Sequence, residues 1–125
     1  MVDPAHGARG GGRSLREDTL RLADMLEALE RIRGFSADGR ARFLADPMVQ
    51  EAVAYEVLKL GEAAGRVSKT LRRGHTEVPW GHLVGLRNEI VHEYFRVDSD
   101  ALWQFVEREL DVIERGLRPL VPKRP

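Results

Sequence analysis

Apolar residues recur at helical spacing in the first third of the chain. The positions are Leu22, Met25, Leu26, Leu29 and Ile32. This spacing predicts an amphipathic helix. Ser14 and Glu17 form the capping-box pattern that starts a helix, and Gly34 follows the last apolar position. We therefore expect the first helix to begin near Ser14, after a disordered, glycine-rich arm over residues 1–13.

Two further helices are predicted by the next pair of start signals. The stretch FSADGRARFLAD can form a short helix capped by Ser36, with Phe43 and Leu44 packed inward. Asp46 followed by Pro47 then starts a long helix, because a side-chain acceptor precedes a residue whose missing N–H is not needed in the first turn. This helix is expected to continue to about residue 71, before Gly74. The residues on its adjacent turns are Met48, Ala52, Tyr55, Leu58 or Lys59, and Ala63.

Two glycines, Gly61 and Gly65, lie one turn apart in the middle of the long helix. Each weakens a helix by about 1 kcal/mol relative to alanine. We expect a close contact with another helix at these glycines to offset this loss of helix stability.

The last third of the chain predicts two more helices. Pro79 opens the first of them, and the pattern breaks near Val97. Asp98 or Ser99 then caps a final helix. Its apolar face consists of Leu102, Phe105, Val106, Leu110, Ile113 and Leu117.

The fold class that follows is all-α, since no segment alternates apolar and polar residues long enough to predict a strand. We expect an up-and-down bundle of four to five helices over residues 14–119, with a flexible tail over residues 120–125. A chain of 125 residues is large enough for one such domain.

Composition and charge exclude some kinds of functional site but do not indicate a function. Twenty basic residues balance twenty acidic ones, so a nucleic-acid partner would have to meet a local basic surface. With no cysteine, thiol nucleophiles and thiolate metal sites are excluded. No apolar run is long enough to cross a bilayer, and we expect a cytoplasmic protein without a membrane segment.

Three familiar site motifs are absent from the sequence. ARGGGRS lacks the Gly-Lys-Ser/Thr ending of a phosphate-binding P-loop. VHEYFR starts like a zinc-protease motif but has Arg96 where the second histidine must lie. His75, His82 and His92 do not share a metal-ligand spacing, so no metal site and no cofactor are expected.

The stretch GLRNEIVHEYFRVD, from Gly85, concentrates polar chemistry on one predicted helix. Arg87 falls near the middle of a broad apolar face, and a buried guanidinium needs an acceptor. One explanation is an ion pair within the chain, for which Glu62 is a candidate. The other is that Arg87 lines a cleft, at a dimer interface for example, and binds a phosphate there.

Asn88 and His92 are four residues apart and share a flank of this helix. Histidine titrates near neutral pH, so His92 can transfer protons while Arg87 stabilises charge on a phosphate. Such a pair can cleave RNA without metal, through attack by the 2′-hydroxyl. Taken alone, His92 would more often be a structural histidine, and Tyr94 a half-buried aromatic anchor.

A basic cluster follows the long helix, with no acid between its members. It consists of Arg66, Lys69, Arg72 and Arg73. Cations favour helix C-termini, so a solvated helix end explains the cluster. A surface that contacts the phosphate backbone of RNA explains it as well.

The spacing of Arg87, His92 and Tyr94 matches R-x4-H-x-Y, and on these residues the chain resembles the HepT-like toxins of the HEPN superfamily. Blocks elsewhere in the chain resemble the family in the same order. They are FLADPMVQEAV, LGEAAGRVS, VPWGHLVGLRNEIVHEYFRVD and the LW at Leu102.

This resemblance implies a HEPN-like homodimer whose motif helices face a shared cleft. Arg87 and His92 would there carry metal-independent cleavage of RNA, with Asn88 in support. It also implies an antitoxin partner, a nucleotidyltransferase of the MntA type that silences the toxin by AMPylation of Tyr94. Phosphates added there would repel an RNA backbone.

Two other functions remain open on the sequence. In one, the same cleft binds a nucleotide or the nucleotidyltransferase, and no RNA is cut. In the other, the chain is a structural helical dimer with Arg87 ion-paired inside it.

Overall fold

The protein is all-α in the computed structural model, which describes the backbone of residues 4–92 and 98–122 and the side chains of residues 15–92 and 98–122. Seven α-helices lie in these ranges, and a short 3₁₀ turn, Arg118–Leu120, follows them. The helices are α1 (Pro4–Phe35), α2 (Arg40–Ala45), α3 (Pro47–Arg66), α4 (Lys69–Gly74), α5 (Trp80–His92), α6 (Ser99–Arg108) and α7 (Leu110–Leu117). The predicted all-α helical bundle is confirmed.

Helix α3 is at the centre of the packing, because it contacts α1 along one side and α5 along another. Helices α6 and α7 complete the core through contacts with α2, α3 and α1. The largest fully buried side chains are Phe43, Met25, Leu29, Ile32, Leu60, Leu83, Leu110, Ile113 and Leu117. In the described part of the chain, no helix is long and apolar enough to span a membrane.

The first helix begins earlier in the structure than the sequence predicts. Its backbone is helical from Pro4, so Ser14 lies inside α1 and does not cap it, and residues 4–13 are helical where an irregular arm is expected. Glycine lowers helix stability without forbidding the conformation, and each residue added to an existing helix gains a hydrogen bond. The division of the chain into an arm, a domain and a tail stays a prediction.

The cap predicted for α2 is wrong in position. Gly39, with a φ of 90°, precedes α2, a conformation that glycine adopts without strain. Ser36 is buried at the end of α1, where its Oγ donates to the Ile32 carbonyl at 2.6 Å. The inward packing of Phe43 and Leu44 is confirmed.

The long helix starts as predicted but ends sooner. Asp46 accepts hydrogen bonds from the backbone N–H groups of Met48 and Val49, which confirms the cap. The helix stops at Arg66, because Ser68 takes an extended conformation and caps the short helix α4. The buried carboxylate of Asp18, on α1, accepts from the backbone N–H and the hydroxyl of Ser68 at 2.8 and 2.6 Å.

The buried face of α3 is also different from the stripe noted in the sequence. Met48 and Tyr55 are 80% and 59% exposed. Ala63 of that stripe is buried, and the other buried residues of the helix are Val53, Ala54, Glu56, Val57, Leu60, Gly61 and Ala64. The apolar residues of α3 are distributed around most of the helix, so periodicity alone does not identify the face that packs.

Asp98 caps the C-terminal helical segment through a bond from Ala101 N–H, as predicted. The segment is divided at Glu109 into α6 and α7. The carboxylate of Glu109 lies 2.6 Å from Nε2 of His82 on α5. Its predicted apolar face is buried, apart from the half-buried Val106. Leu120 and Val121 pack against the core, beyond the expected domain end at residue 119.

Candidate active site

Helix α5 carries Arg87, Asn88 and His92, and it packs against α3 at an unusually close helix contact that includes Arg87. A Cβ atom built on Gly61 would lie 2.5 Å from the Leu83 carbonyl oxygen and against Cβ of Arg87. Only glycine fits at this point, which confirms the close approach predicted for Gly61. At Gly65 the nearest atom, in Val84, would be 3.5 Å away, an ordinary contact.

Arg87 forms an ion pair with the next residue of α3. Its Nε and Nη2 atoms lie 2.6 and 2.5 Å from the same carboxylate oxygen, Oε1 of Glu62. Its Nη1 donates to the side-chain oxygen of Asn88 at 2.9 Å. Both partners of the ion pair are half-exposed, with 36% of each side chain accessible. The partner that the sequence left open is therefore Glu62, and the guanidinium reaches solvent.

His92 is the last residue of α5 and is exposed. It lies five residues after Arg87, about 7.5 Å further along the helix axis. Asn88, one turn before His92, is exposed on the same flank. The structure thus joins Arg87 to Asn88 by a hydrogen bond and places His92 at the open end of the same helix. Tyr94 lies outside the described residues.

The four basic residues near the end of α3 occupy the surface in different ways. Arg66, Lys69 and Arg73 are exposed, and Arg72 is half-buried. The Nε of Arg72 is buried without a hydrogen-bond partner among the described residues. These positions leave both explanations of the cluster open.

A charged cleft of about 400 Å³ between α1 and α3 borders the ion pair. Its side chains come from Arg21, Asp24, Glu27, Ala28, Lys59, Glu62, Ala63 and Arg66. Glu62 belongs both to this cleft and to the pair with Arg87. The sequence does not indicate the cleft, because its charged residues are distributed like those of any solvated helix face.

A second group of ion pairs, remote in sequence from the motif, ties α1 to α7. Arg33 lies 2.6 Å from Asp111 and 3.0 Å from Glu114, and Arg118 lies 2.7 Å from Glu114. The hydrogen bond from Arg118, together with Arg33, holds the pKa of Glu114 below its ordinary value. These contacts explain the cluster as a link between helices.

Potential metal ligands do not gather in the described ranges. No group of three or more histidine or acidic side chains there is arranged to hold a metal ion.

Comparison with protein families identifies the chain. Residues 25–120, which include α5 and most of the bundle, match the family model described as Ribonuclease HepT-like. The chain belongs to this family. The predicted membership is confirmed, and with it the enzyme class, a ribonuclease.

Individual HepT-like relatives align with most of the chain. A putative RNase of Caldanaerobacter subterraneus is 30% identical over 76% of this chain and 82% of its own length. A putative RNase of Methanocaldococcus jannaschii is 32% identical over 75% of this chain and 87% of its own. A probable ribonuclease HepT of Thermococcus cleftensis is 33% identical over 71% and 82%. No solved structure matches this HepT-like chain significantly.

Proposed function

We propose that the protein is a metal-independent RNA endonuclease that acts as the toxin of a toxin–antitoxin pair. The observation that carries this proposal is the arrangement of α5, in a member of a ribonuclease family. Arg87 is anchored and reaches solvent, Asn88 touches it, and His92 is exposed at the end of the same helix.

The proposed chemistry assigns one role to each side chain. Neutral His92 removes the proton of an RNA 2′-hydroxyl, whose oxygen attacks the adjacent phosphorus. Arg87 stabilises the negative charge that develops on the phosphate oxygens. The bond to the 5′-oxygen breaks, and that oxygen takes a proton from the protonated histidine. The products are a 2′,3′-cyclic phosphate and a free 5′-hydroxyl, and Asn88 supports Arg87 and orients the RNA.

A homodimer with the two α5 helices facing one cleft is part of the proposal. The resemblance to HepT-like toxins supports it, and the exposed Val91 on α5 is an apolar side chain that the facing helix would cover. The exposed cations Arg66, Lys69 and Arg73, with the half-buried Arg72, would contact the RNA backbone next to the cleft.

Regulation is proposed to act through Tyr94. A nucleotidyltransferase antitoxin of the MntA type would transfer AMP from ATP to the Tyr94 hydroxyl, which loses its proton as pyrophosphate is released. The added phosphates, two residues from His92, would repel the RNA backbone and fill the cleft.

Cleavage by the purified protein tests the enzymatic part. The wild type is expected to degrade RNA in the presence of a chelator, and His92→Ala is expected to lower the rate by at least about a hundredfold. His82→Ala is a matched control, because it removes another exposed histidine from the same helix. Retained cleavage in the His92 variant, with unchanged helical content, would refute the assignment.

Intact mass tests the regulatory part. Protein produced together with the candidate antitoxin should gain mass in steps of AMP that map to Tyr94. A Tyr94→Phe variant should gain none and should remain toxic beside the antitoxin. Modification that persists in this variant would place the acceptor elsewhere.

The Glu62–Arg87 pair itself favours a second candidate, a non-catalytic dimer that binds a nucleotide or the nucleotidyltransferase. Arg87 already has a counter-charge within its own chain, so its presence does not require an RNA phosphate. Binding of ATP or of the antitoxin by calorimetry, with RNA intact after long incubation, would favour this candidate. If the chain is instead a structural helical dimer with Arg87 ion-paired inside it, the Arg87→Met variant would be tolerated or even stabilising.

A further inference from the structure

The Arg87 guanidinium is held along one edge. Arginine has five N–H donors in a planar fork, and two of them donate hydrogen bonds here. Nε donates to Oε1 of Glu62, and Nη1 donates to the side-chain oxygen of Asn88. Nη2 lies in ion-pair contact with the same Glu62 oxygen. Among the hydrogen bonds of the described residues, both terminal nitrogens keep N–H groups without an acceptor, and these are the donors that a phosphate can engage.

Stability does not explain why the pair is so closely set. Ion pairs whose members are exposed to this degree contribute about 0 to 1 kcal/mol, because water screens them. The apolar core beside the pair contains Leu60 of α3 and Leu83 of α5, which are both fully buried. The pair therefore affects where the guanidinium lies more than whether the chain folds.

The backbone of α3 brings Glu62 to this position. Gly61 allows Cβ of Arg87 to rest directly on α3, so that the carboxylate of the next residue meets the guanidinium from the side. With both its stem and its head in contact with α3, the arginine loses much of the rotamer freedom that such a long side chain has.

We propose that Glu62 is a positioning residue for RNA cleavage, which holds the Nε edge of Arg87 so that its two terminal nitrogens are presented to the scissile phosphate. This inference rests on the proposed ribonuclease function and extends it to a residue on another helix, outside the motif. Glu62 does not touch the RNA in this proposal and acts through Arg87.

Such a role separates turnover from binding. In Glu62→Gln a neutral amide oxygen replaces the carboxylate and holds the guanidinium less strongly, so that it can turn away, and misplacement by about 1 Å can cost up to a hundredfold in rate. The variant also loses a negative charge beside the RNA, so that RNA should bind as well as before or better. We therefore expect Glu62→Gln to lower kcat about ten- to hundredfold while KM stays the same or falls.

The matched control is Glu51→Gln, which removes an exposed carboxylate from the same helix. It is expected to keep the wild-type kcat. A double-variant cycle adds a readout that a merely structural role would not move. In an Arg87→Lys background, which lacks the planar fork, Glu62→Gln should cause no further loss of kcat, because its effect passes through the guanidinium.

A spectroscopic measurement tests the geometry without any cleavage. In protein labelled with ¹⁵N-arginine, the Nε–H signal that disappears in Arg87→Lys belongs to Arg87. Its exchange with solvent should be slow in the wild type and at least about tenfold faster in Glu62→Gln. Equally fast exchange in both proteins would overturn the proposal.

The outcomes of the cleavage assay are distinguishable. A wild type that cleaves RNA beside an equally active Glu62→Gln variant overturns the positioning role and leaves the ribonuclease standing. A wild type that does not cleave RNA overturns both. A loss of kcat in Glu62→Gln that is just as large in the Arg87→Lys background also overturns the positioning role.

Discussion

The contact between Gly61 and α5 predicts that an added methyl group destabilises the protein at Gly61 and stabilises it at Gly65, one helical turn away. Gly61→Ala adds one methyl group at the point where α3 and α5 touch, and Gly65→Ala adds the same group nearer solvent. Both changes improve the intrinsic helix propensity of α3 by about 0.5 to 1 kcal/mol. Their surroundings then decide the net effect on the free energy of unfolding.

At Gly61 the new Cβ would lie 2.5 Å from a backbone oxygen, that of Leu83. Ordinary contact begins at 3.4 Å, so the two helices must separate locally by about 0.9 Å. A side-chain rotation cannot relieve this overlap, because the oxygen belongs to the backbone. Overpacking of this kind costs about 1 to 3 kcal/mol, which after the gain in helix propensity leaves a net destabilisation of up to about 2.5 kcal/mol. At Gly65 the nearest atom would be 3.5 Å away, and we expect a stabilisation of about 0.5 to 1 kcal/mol.

Urea unfolding of the two variants and the wild type, followed by circular dichroism, measures these differences. The same displacement at Gly61 moves Arg87, so Gly61→Ala should also lose RNA cleavage that Gly65→Ala retains. Two variants that both gain stability would refute the close helix contact. If Gly61→Ala is destabilised but cleaves RNA fully, the helix contact exists and RNA cleavage does not depend on it.

Two further variants test contacts between distant parts of the chain. Asp18→Ala should lower the free energy of unfolding by about 1 to 3 kcal/mol, because the part-buried N–H and hydroxyl of Ser68 lose their acceptor. The exposed Asp24→Ala on the same helix should change it by less than about 1 kcal/mol, and equal losses would contradict the reasoning. Glu114→Gln tests the pH dependence, since Arg118 lowers the pKa of this carboxylate. Its stabilising contribution should be complete above pH 4.5, the ordinary pKa, and should be lost as pH falls through the lowered native pKa. A difference from the wild type that persists in acid would contradict this.

Much of the helical structure follows from local signals in the sequence. Asp46 with Pro47 and Asp98 mark helix starts that the structure confirms, because a cap involves only neighbouring residues. The buried positions of α1 and of the C-terminal helices agree with their spacing. The stripe through Met48 and Tyr55 is wrong for α3, since a helix packed on two sides has no single apolar face.

The candidate site was predictable in its residues and only partly in its arrangement. The spacing of Arg87, Asn88 and His92 on one helix follows from the sequence, and the pair of glycines indicates a close contact without naming the other helix. Glu62 was one possible partner of Arg87, and the motif does not select it. Their contact depends on how α3 and α5 are oriented, which the pattern along either helix does not specify.

The all-α class, the main helices and the group of polar residues on α5 follow from patterns along the chain. The end of α3 and the contacts of Arg87 depend on how the helices pack. Asp18 binds Ser68 across 50 positions, and Glu62 binds Arg87 across 25. Helix periodicity and caps act over one or two turns, whereas these partners meet only after the helices have packed. For that reason the chemistry of α5 can be read along the chain, and the orientation of its arginine cannot.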